Sequence, residues 1–219
     1  MNKLRKLIDQ LCPEGVEHLE LGEVFKIRHG YTPSKRIEKF WKNGNVPWFR
    51  MDDIRNNGKI LKQAAQKVTL EAAKNNPFEK NSIILATRAT IGEHALVKTE
   101  FICNQQFTCF ALLDKYKLNT NIKFMFYYFY IICEWCKKNT QTSSFPTVQS
   151  ESLKKLKIPV PPLEIQNEIV RILDVLDQLV NYISDELPVE VKMRQKQHKH
   201  YLNKLLKFER RCEWKYQMK

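Results

Sequence analysis

Arginine, lysine and hydroxyl side chains cluster beside turn residues in four segments of this sequence. The segments are residues 28–36, 50–55 and 87–90 and the polar stretch after residue 136. Arginine and lysine favour guanine edges, asparagine and glutamine favour adenine, and a phosphate needs only a cation. For each residue taken singly, a solvated surface side chain is an equal alternative, so the prediction of a nucleic-acid site rests on the set. Its members are Arg28, His29, Thr32, Ser34, Lys35, Arg36, Arg50, Arg55, Arg88, Thr90, Lys137, Lys138 and Ser143.

Cys133 and Cys136 have the C-x-x-C spacing of half a zinc site or of a redox pair. They lie inside a strongly apolar segment, however, and the other cysteines form no second pair at ligand spacing. The pattern therefore favours thiols buried in a core helix over a metal or redox site.

Two further patterns could carry chemistry. His198 and His200 are separated by one residue, and such a pair diverges around a helix axis, which favours a solvated face over a metal site. Asp52 and Asp53 have no accompanying base or nucleophile motif, so they are expected to orient the flanking arginines. The sequence contains no glycine-rich phosphate loop and no cofactor fingerprint. It predicts a protein with no catalytic centre and no bound metal or cofactor.

The charge distribution also favours a polyanionic partner. The formal net charge is +13, and residues 21–162 alone carry 23 basic and 11 acidic side chains. Residues 163–187 carry 1 basic and 6 acidic side chains, whereas residues 188–219 carry 10 and 3. The acidic and basic stretches suit two helices that lie against each other, with two ordinary solvated faces as the alternative.

The elements that would position these residues are mostly strands, with inserted helices and no βαβ rhythm. Apolar runs predict strands around residues 82–87, 95–97, 101–103 and 107–112. An opening helix is predicted over residues 2–11, a brief helix capped by Thr69 within 68–75, and an aromatic core helix over 122–139. The predicted fold class is α+β, with one β-rich domain followed by a long helical, coiled-coil-like region that is broken near Pro188.

A proline-rich junction separates these two parts. Pro159, Pro161 and Pro162 hold the chain extended, so a helix can begin only after them. The predicted domains are residues 1–162, a helical spacer over 163–208 and a tail over 209–219. Helices are expected over 163–184 and 188–208. Apolar residues of the helical region recur every three or four positions and predict a dimerisation seam: Ile165, Ile169, Ile172, Leu176, Leu179, Ile183 and Leu187.

No secretory signal pattern is present, and the longest apolar run is about half the length of a membrane-spanning helix. The protein is therefore expected to be cytoplasmic, away from any membrane, with its six cysteines reduced.

Short motifs occur in a fixed order along most of the chain. The segment I-P-V-P-P-L-E-I-Q-N-E-I-V spans residues 158–170, and the other motifs are Leu21–Glu23, Gly30–Ser34, Pro47–Arg50, Asp52–Ile54, Thr90–Gly92, Asn104–Gln105 and Leu187–Glu190. Together they resemble the DNA-specificity (S) subunits of type I restriction-modification enzymes. A full S subunit has two tandem target-recognition domains, whereas 219 residues hold one, so a half-length form is expected.

The resemblance implies a non-catalytic subunit that binds double-stranded DNA. It implies a separate DNA methyltransferase (M) subunit, which uses S-adenosylmethionine to modify adenine, and a restriction (R) subunit as a further partner. It also implies that a homodimer of half-length chains would recognise a bipartite target. The proline junction and the two helices, with Glu164, Gln166 and Glu168, are then expected to form the surface that docks the methyltransferase.

Three alternatives stay open at this point. One is a recombination-donor specificity cassette that never assembles. Another is a helical adaptor whose basic charge only aids solubility, and the third is a metalloenzyme that uses Cys133 and Cys136. Steep salt dependence of duplex binding would favour recognition over the adaptor, and the absence of stoichiometric zinc would remove the metalloenzyme.

Overall fold

The computed structural model describes residues 2–140, 146–183 and 188–208. Its helices are α1 (Asn2–Leu11), α2 (Leu21–Val24), α3 (Met51–Asn57), α4 (Asp114–Lys117), α5 (Ile122–Lys138), α6 (Ser150–Lys154), α7 (Leu163–Ile183) and α8 (Pro188–Leu206), with a 3₁₀ helix over Glu38–Phe40. Its strands are β1 (His18–Glu20), β2 (Phe25–His29), β3 (Val46–Phe49), β4 (Ile60–Leu61), β5 (Lys67–Val68), β6 (Ser82–Ala86), β7 (His94–Val97), β8 (Ile102–Cys103), β9 (Phe107–Leu112) and β10 (Lys157–Pro159).

The chain forms two compact units, each assembled from separate segments. The sheet unit comprises residues 21–116 and 129–156, within the described ranges. The helical unit comprises the described parts of residues 1–20, 117–128 and 157–219. The predicted linear boundary at residue 162 divides the chain differently. In sequence, β1 precedes the sheet unit and β10 follows it, yet the two strands pair antiparallel within the helical unit.

The sheet unit is organised around a five-stranded sheet in the order β2-β9-β6-β7-β4. Its neighbours pair antiparallel except β4 and β7, which are parallel. All residues of β6, β7 and β9 are buried, which explains why their sequences are continuous rather than alternating apolar runs. A second, three-stranded sheet has the order β5-β3-β8.

In the helical unit, α7 packs against both α1 and α8. One face of α7 is fully buried, with Ile165, Ile169 and Leu173 at 0% exposure. The acidic side chain of Asp177 on α7 lies 3.0 Å from Nε2 of His198 on α8. The packing of α7 against α8 confirms that the two helices lie side by side, whereas the pairing of acidic with basic flanks between them stays a prediction.

The α+β class, the helical region and the second helix starting at Pro188 are confirmed. The brief helix predicted within 68–75 is wrong. Thr69 Oγ1 does accept a hydrogen bond from the Ala72 amide at 3.3 Å, as a cap would. Lys74 and Asn75 then take positive φ angles of 55° and 49°, which a continuing helix cannot accommodate, so the segment forms turns. Of the described helices, none combines the length and apolar character needed to cross a membrane.

Candidate nucleic-acid interface

Three strand ends of the sheet unit bring separate polar segments to one place. The last residue of β2, His29, pairs with Thr108 near the start of β9. The last residue of β6, Ala86, pairs with Phe107, the first residue of β9. The segments after residue 29 and after residue 86 therefore meet beside the loop of residues 104–106, although they are far apart in sequence.

The ends of β3 and β8 reach the same loop. These strands are parallel, with Phe49 opposite Cys103, and the Asn104 amide donates to the Phe49 carbonyl oxygen at 3.0 Å. Gly30 has room for no Cβ, because that atom would lie 2.2 Å from the Asn104 carbonyl oxygen. Only glycine permits this close approach, which fixes the residues after Gly30 against the loop.

Arg88 stands on a tight turn at this end of the sheet unit. The turn is held by a bridge between Arg88 and Thr147 and by a 3.0 Å hydrogen bond from the Val148 amide to the Thr87 carbonyl oxygen. Ala89 then adopts a left-handed φ of 60°. The Arg88 side chain is exposed and has no partner among the described residues, so it can meet a ligand.

His29 lies at the end of a chain of hydroxyl groups. Its Nδ1 is 3.1 Å from Thr108 Oγ1, which is 2.9 Å from Thr87 Oγ1, and its Nε2 is 3.4 Å from Ser150 Oγ. Burial lowers the pKa of His29, and the positive charges of Arg88 and Lys154 lower it further. These contacts orient an exposed ring and favour its neutral form.

Amide side chains of the 104–106 loop are a part of the interface that the sequence analysis did not assign. Thr32 Oγ1 donates to Gln105 Oε1 at 2.6 Å, and Asn104 Nδ2 donates to Gln106 Oε1 at 3.1 Å. These bonds hold amides, which suit adenine edges, beside Thr32 and the cations. The Asn104–Gln105 motif and the adenine preference of glutamine were the available signals.

Arg50 is placed by aromatic stacking. Its guanidinium carbon lies 5.5 Å from the centre of the Trp48 ring, and Trp48 Nε1 donates to the Tyr31 carbonyl oxygen at 3.2 Å. Lys74 Nζ lies 4.6 Å from the Tyr31 ring centre. Two cations thus lie on Tyr31 of the Gly30–Ser34 segment and on Trp48, which is bonded to that segment.

The expectation that both Asp52 and Asp53 orient arginines is correct only for Asp52, which lies 3.8 Å from Arg55. Asp53 instead accepts hydrogen bonds from the backbone amides of Arg50 and Ala65, each at 2.8 Å. Its carboxylate therefore fixes the start of α3 rather than a side chain.

Arg28 differs from the other candidate residues. Its guanidinium donates to Asn76 Oδ1 and to the Pro77 carbonyl oxygen, each at 3.3 Å, and to the Asn76 carbonyl oxygen at 2.9 Å. It also lies 4.4 Å from the centre of the Phe78 ring. The structure gives Arg28 a role in holding the loop of residues 76–78, because its guanidinium makes three hydrogen bonds to Asn76 and Pro77.

The remaining candidates are less constrained. Ser34, Lys35 and Arg36 are exposed on the segment after Gly30. Thr90 is half-buried in the Arg88 turn, and the Lys137 side chain lies against Gly92 of that turn and forms a 3.1 Å ion pair with Glu134. Lys138 is exposed, and Ser143 lies outside the described residues.

Cys133 and Cys136 are buried in α5, as the sequence analysis favoured. Burial raises the pKa of Cys136 to about 12, and it also raises the pKa of Cys133, whose Sγ lies 3.1 Å from Nδ1 of the buried His94. Within the described part of the chain, no group of three or more His, Cys, Asp or Glu side chains could hold a metal ion.

The predicted dimerisation seam is divided by the structure. Ile165 and Ile169 are fully buried within the helical unit, so they offer no surface to a second chain. Ile172 and Leu176 are half-buried, and Leu179 is 43% exposed. The side chain of Ile183 and all of Leu187 lie outside the described residues.

The expected docking surface at the start of α7 is also reduced. Gln166 is 0% exposed and Glu168 is 5% exposed, and both are bound within the helical unit. Only Glu164 of the three residues remains open to a partner.

Comparisons with known proteins connect this chain to a family. Residues 13–193 match the family described as the type I restriction modification DNA specificity domain. The type I restriction enzyme EcoprrI specificity subunit of Escherichia coli is 47% identical over 216 residues, which cover 95% of this chain and 53% of that protein. Another E. coli type I restriction enzyme specificity subunit is 33% identical over 207 residues, covering 88% and 48%.

The fold has relatives among solved structures. The HsdS subunit from Thermoanaerobacter tengcongensis matches with a TM-score of 0.60 and 16% identity, covering 94% of this chain and 50% of that one. At this identity the likeness shows the fold alone. The chain spans about half the length of the curated relatives that it matches.

Proposed function

This chain belongs to the type I restriction modification DNA specificity family, and from that membership we propose that it selects the DNA sequence on which a separate methyltransferase subunit acts. Its relatives are specificity subunits of type I restriction enzymes. The proposed role is recognition rather than catalysis.

The observation that carries this proposal is the convergence of strand ends in the sheet unit. Residues after 29, after 49 and after 86 meet around the 104–106 loop, and together they supply exposed cations, hydroxyls and oriented amides. Base recognition requires this mixture on a rigid frame, and phosphate contacts require the cations. The excess of basic side chains over residues 21–162 supports the same ligand.

The proposed partner is a DNA methyltransferase subunit that binds S-adenosylmethionine and transfers the methyl group to adenine. In the proposed assembly this chain contributes sequence selection, and it binds no cofactor itself. A restriction subunit would join the same assembly to cleave unmodified DNA. Glu164 and the exposed parts of α7 and α8 are the proposed contact surface, because Gln166 and Glu168 are occupied within the chain.

We further propose that two copies of the chain associate through α7 and α8 and so recognise a bipartite target. Val175 and Leu179 are 47% and 43% exposed, and half-buried Ile172 lies on the same side of α7. An apolar stripe of this kind at helical spacing suits another helix. A symmetric pair would present two identical interfaces to DNA.

The test combines this chain with the methyltransferase subunit from the same genome and S-adenosylmethionine. We expect methylation of genomic DNA only when both proteins are present, and mapping of the methylated adenines should give one bipartite motif. Arg88→Ala should reduce the methylated fraction. Methylation by this chain alone, or an unchanged motif and rate without it, would contradict the proposal.

A further inference from the structure

His29 occupies an unusual position in the interface. Its ring is exposed, yet both nitrogens lie near hydroxyl groups, Nδ1 at 3.1 Å from Thr108 Oγ1 and Nε2 at 3.4 Å from Ser150 Oγ. A neutral imidazole has one N–H donor and one acceptor nitrogen, whereas the charged ring has two donors. A hydroxyl group can both donate and accept a hydrogen bond. Thr108 and Ser150 can therefore hold the ring in either its neutral or its charged form.

Two cations come near this ring on other elements of the sheet unit. Arg88 follows Thr87, whose Oγ1 lies 2.9 Å from the Thr108 Oγ1 that contacts the ring, and Lys154 ends the short helix α6 that begins at Ser150. Lys154 is 44% exposed and forms a 2.7 Å ion pair with the exposed Glu151, which neutralises it in part. Arg88 has no such partner among the described residues. Positive charge is thus concentrated around a group that titrates near neutral pH.

We propose that Arg88 and Lys154 bind one backbone phosphate of duplex DNA beside His29, and that occupation of this site is coupled to the uptake of one proton by His29. The inference rests on the proposed DNA-recognition function and adds Lys154 and Ser150 to the interface. The proton comes from solvent and converts the neutral imidazole to imidazolium, with no other bond made or broken.

The physical reason is the change in charge around the ring. In the free protein, burial and the two cations lower the pKa of His29, which favours the neutral ring at pH 7. A phosphate between Arg88 and Lys154 compensates their positive charge and stabilises the imidazolium form of His29. The bound protein therefore holds more protons than the free protein, and affinity must rise as the pH falls.

The pH range over which DNA affinity changes is set by the pKa of His29 in the free protein and in the DNA-bound protein. The free-protein pKa of His29 lies below the ordinary value of 6.5, and the bound-state pKa lies above the free one. Between the two values, affinity changes by up to about tenfold per pH unit for one linked proton. Above the bound-state pKa both forms are neutral, and the coupling vanishes.

The first experiment measures binding of a fluorescently labelled mixed-sequence duplex of about 40 base pairs at constant ionic strength, from pH 5.5 to 8. Wild-type protein should bind more tightly as the pH falls, and calorimetry in two buffers of different ionisation enthalpy should show net proton uptake. His29→Gln should lose most of this pH dependence and keep its salt dependence. His200→Gln, which changes an exposed histidine of α8, should behave as wild type.

Two more measurements separate the site from a general effect of charge. Arg88→Ala and Lys154→Ala should each reduce the slope of log affinity against log salt by about one, as expected when one phosphate contact is lost. NMR titration of the His29 ring in unmutated protein should show that duplex DNA raises its pKa.

The outcomes distinguish this inference from the proposed function. Wild-type protein that shows no salt-dependent affinity for duplex DNA would contradict the function itself. Salt-dependent binding with the same pH profile in wild type and His29→Gln would overturn only the proton-coupled site. A His29 resonance whose titration DNA leaves unchanged would overturn it as well, whether or not the variants fold.

Discussion

Gln166 Nε2 donates a 2.7 Å hydrogen bond to the carbonyl oxygen of Pro161, and the Gln166 side chain is fully buried. The same nitrogen donates to the Asn119 carbonyl oxygen at 3.2 Å, and Oε1 accepts from the Asn121 amide at 2.8 Å. One side chain thus joins the proline junction, the start of α7 and the residues that precede α5. The motif residue that resembled a docking contact is an internal connector of the helical unit.

We therefore expect Gln166→Ala to destabilise the protein strongly. The substitution leaves three backbone groups without their partners, and each buried unsatisfied group costs about 1–3 kcal/mol. A loss of about 2–4 kcal/mol should appear in the free energy of unfolding measured with urea. Gln178→Ala, at an exposed position of the same helix, should change it by less than about 0.5 kcal/mol. Equal stability of the two variants would contradict the connector role.

Substitution of Arg28 and of Arg36 should distinguish an arginine that stabilises the fold from one that binds DNA. Arg28 is bonded to residues 76–77 and stacks on Phe78, so Arg28→Ala should lower stability by about 1–3 kcal/mol. Arg36 is exposed, and Arg36→Ala should leave stability unchanged while weakening duplex binding and reducing its salt slope by about one. Thermal unfolding and binding anisotropy on both variants test this. The assignment fails if Arg36→Ala unfolds at lower temperature and Arg28→Ala does not.

Much of the fold follows from local pattern. The run from Ser82 to Ala86 is buried on both faces and predicts its own strand, and the prolines before Leu163 fix where α7 begins. The apolar spacing of α7 identified an apolar face but not what covers it. Ile165 and Ile169 are buried within this chain, in a helix that packs against α1 and α8, and no property of the spacing distinguishes that from a second copy.

The site was less predictable than the fold because its contacts are long-range. Arg28 and Asn76 are 48 positions apart, and His29 and Thr108 are 79 apart. Residue type and neighbouring turns in the sequence cannot show whether a guanidinium is already bonded within the protein. The role of Gln105 depends on Thr32, a partner that only the pairing of β2 with β9 brings near.

The contribution of Glu168 to the free energy of unfolding should decrease as the pH falls into the acidic range. Hydrogen bonds from Arg171, and then from Lys3, lower the pKa of Glu168 from 4.5 to about 2. Such a carboxyl stabilises the folded state above its unfolded pKa, and the contribution is lost as the pH falls from about 4.5 to 2. Because both cations are largely exposed and screened by solvent, Glu168→Gln should cost only about 1 kcal/mol at pH 7.

Unfolding in urea at pH 7 and at pH 2.5 measures this contribution. The difference between Glu168→Gln and wild type should shrink at the lower pH, where the wild-type carboxyl begins to protonate. Glu164→Gln, at an exposed position four residues earlier, should match wild type at both values. A difference that grows as the pH falls would show that the carboxylate is not the stabilising form.

The self-association of the chain should depend on the exposed stripe of α7 and not on its buried face. Val175 and Leu179 are one helical turn apart and nearly half exposed, so Val175→Lys with Leu179→Lys should leave the fold intact and place two charges in the proposed interface. Sedimentation at micromolar concentration should show a dimer for wild type and a monomer for this variant, with the same circular dichroism. Leu70→Lys, which changes an equally exposed leucine of the sheet unit, should remain dimeric. Monomeric wild-type protein, or a double variant that still dimerises, would rule out this stripe as the interface.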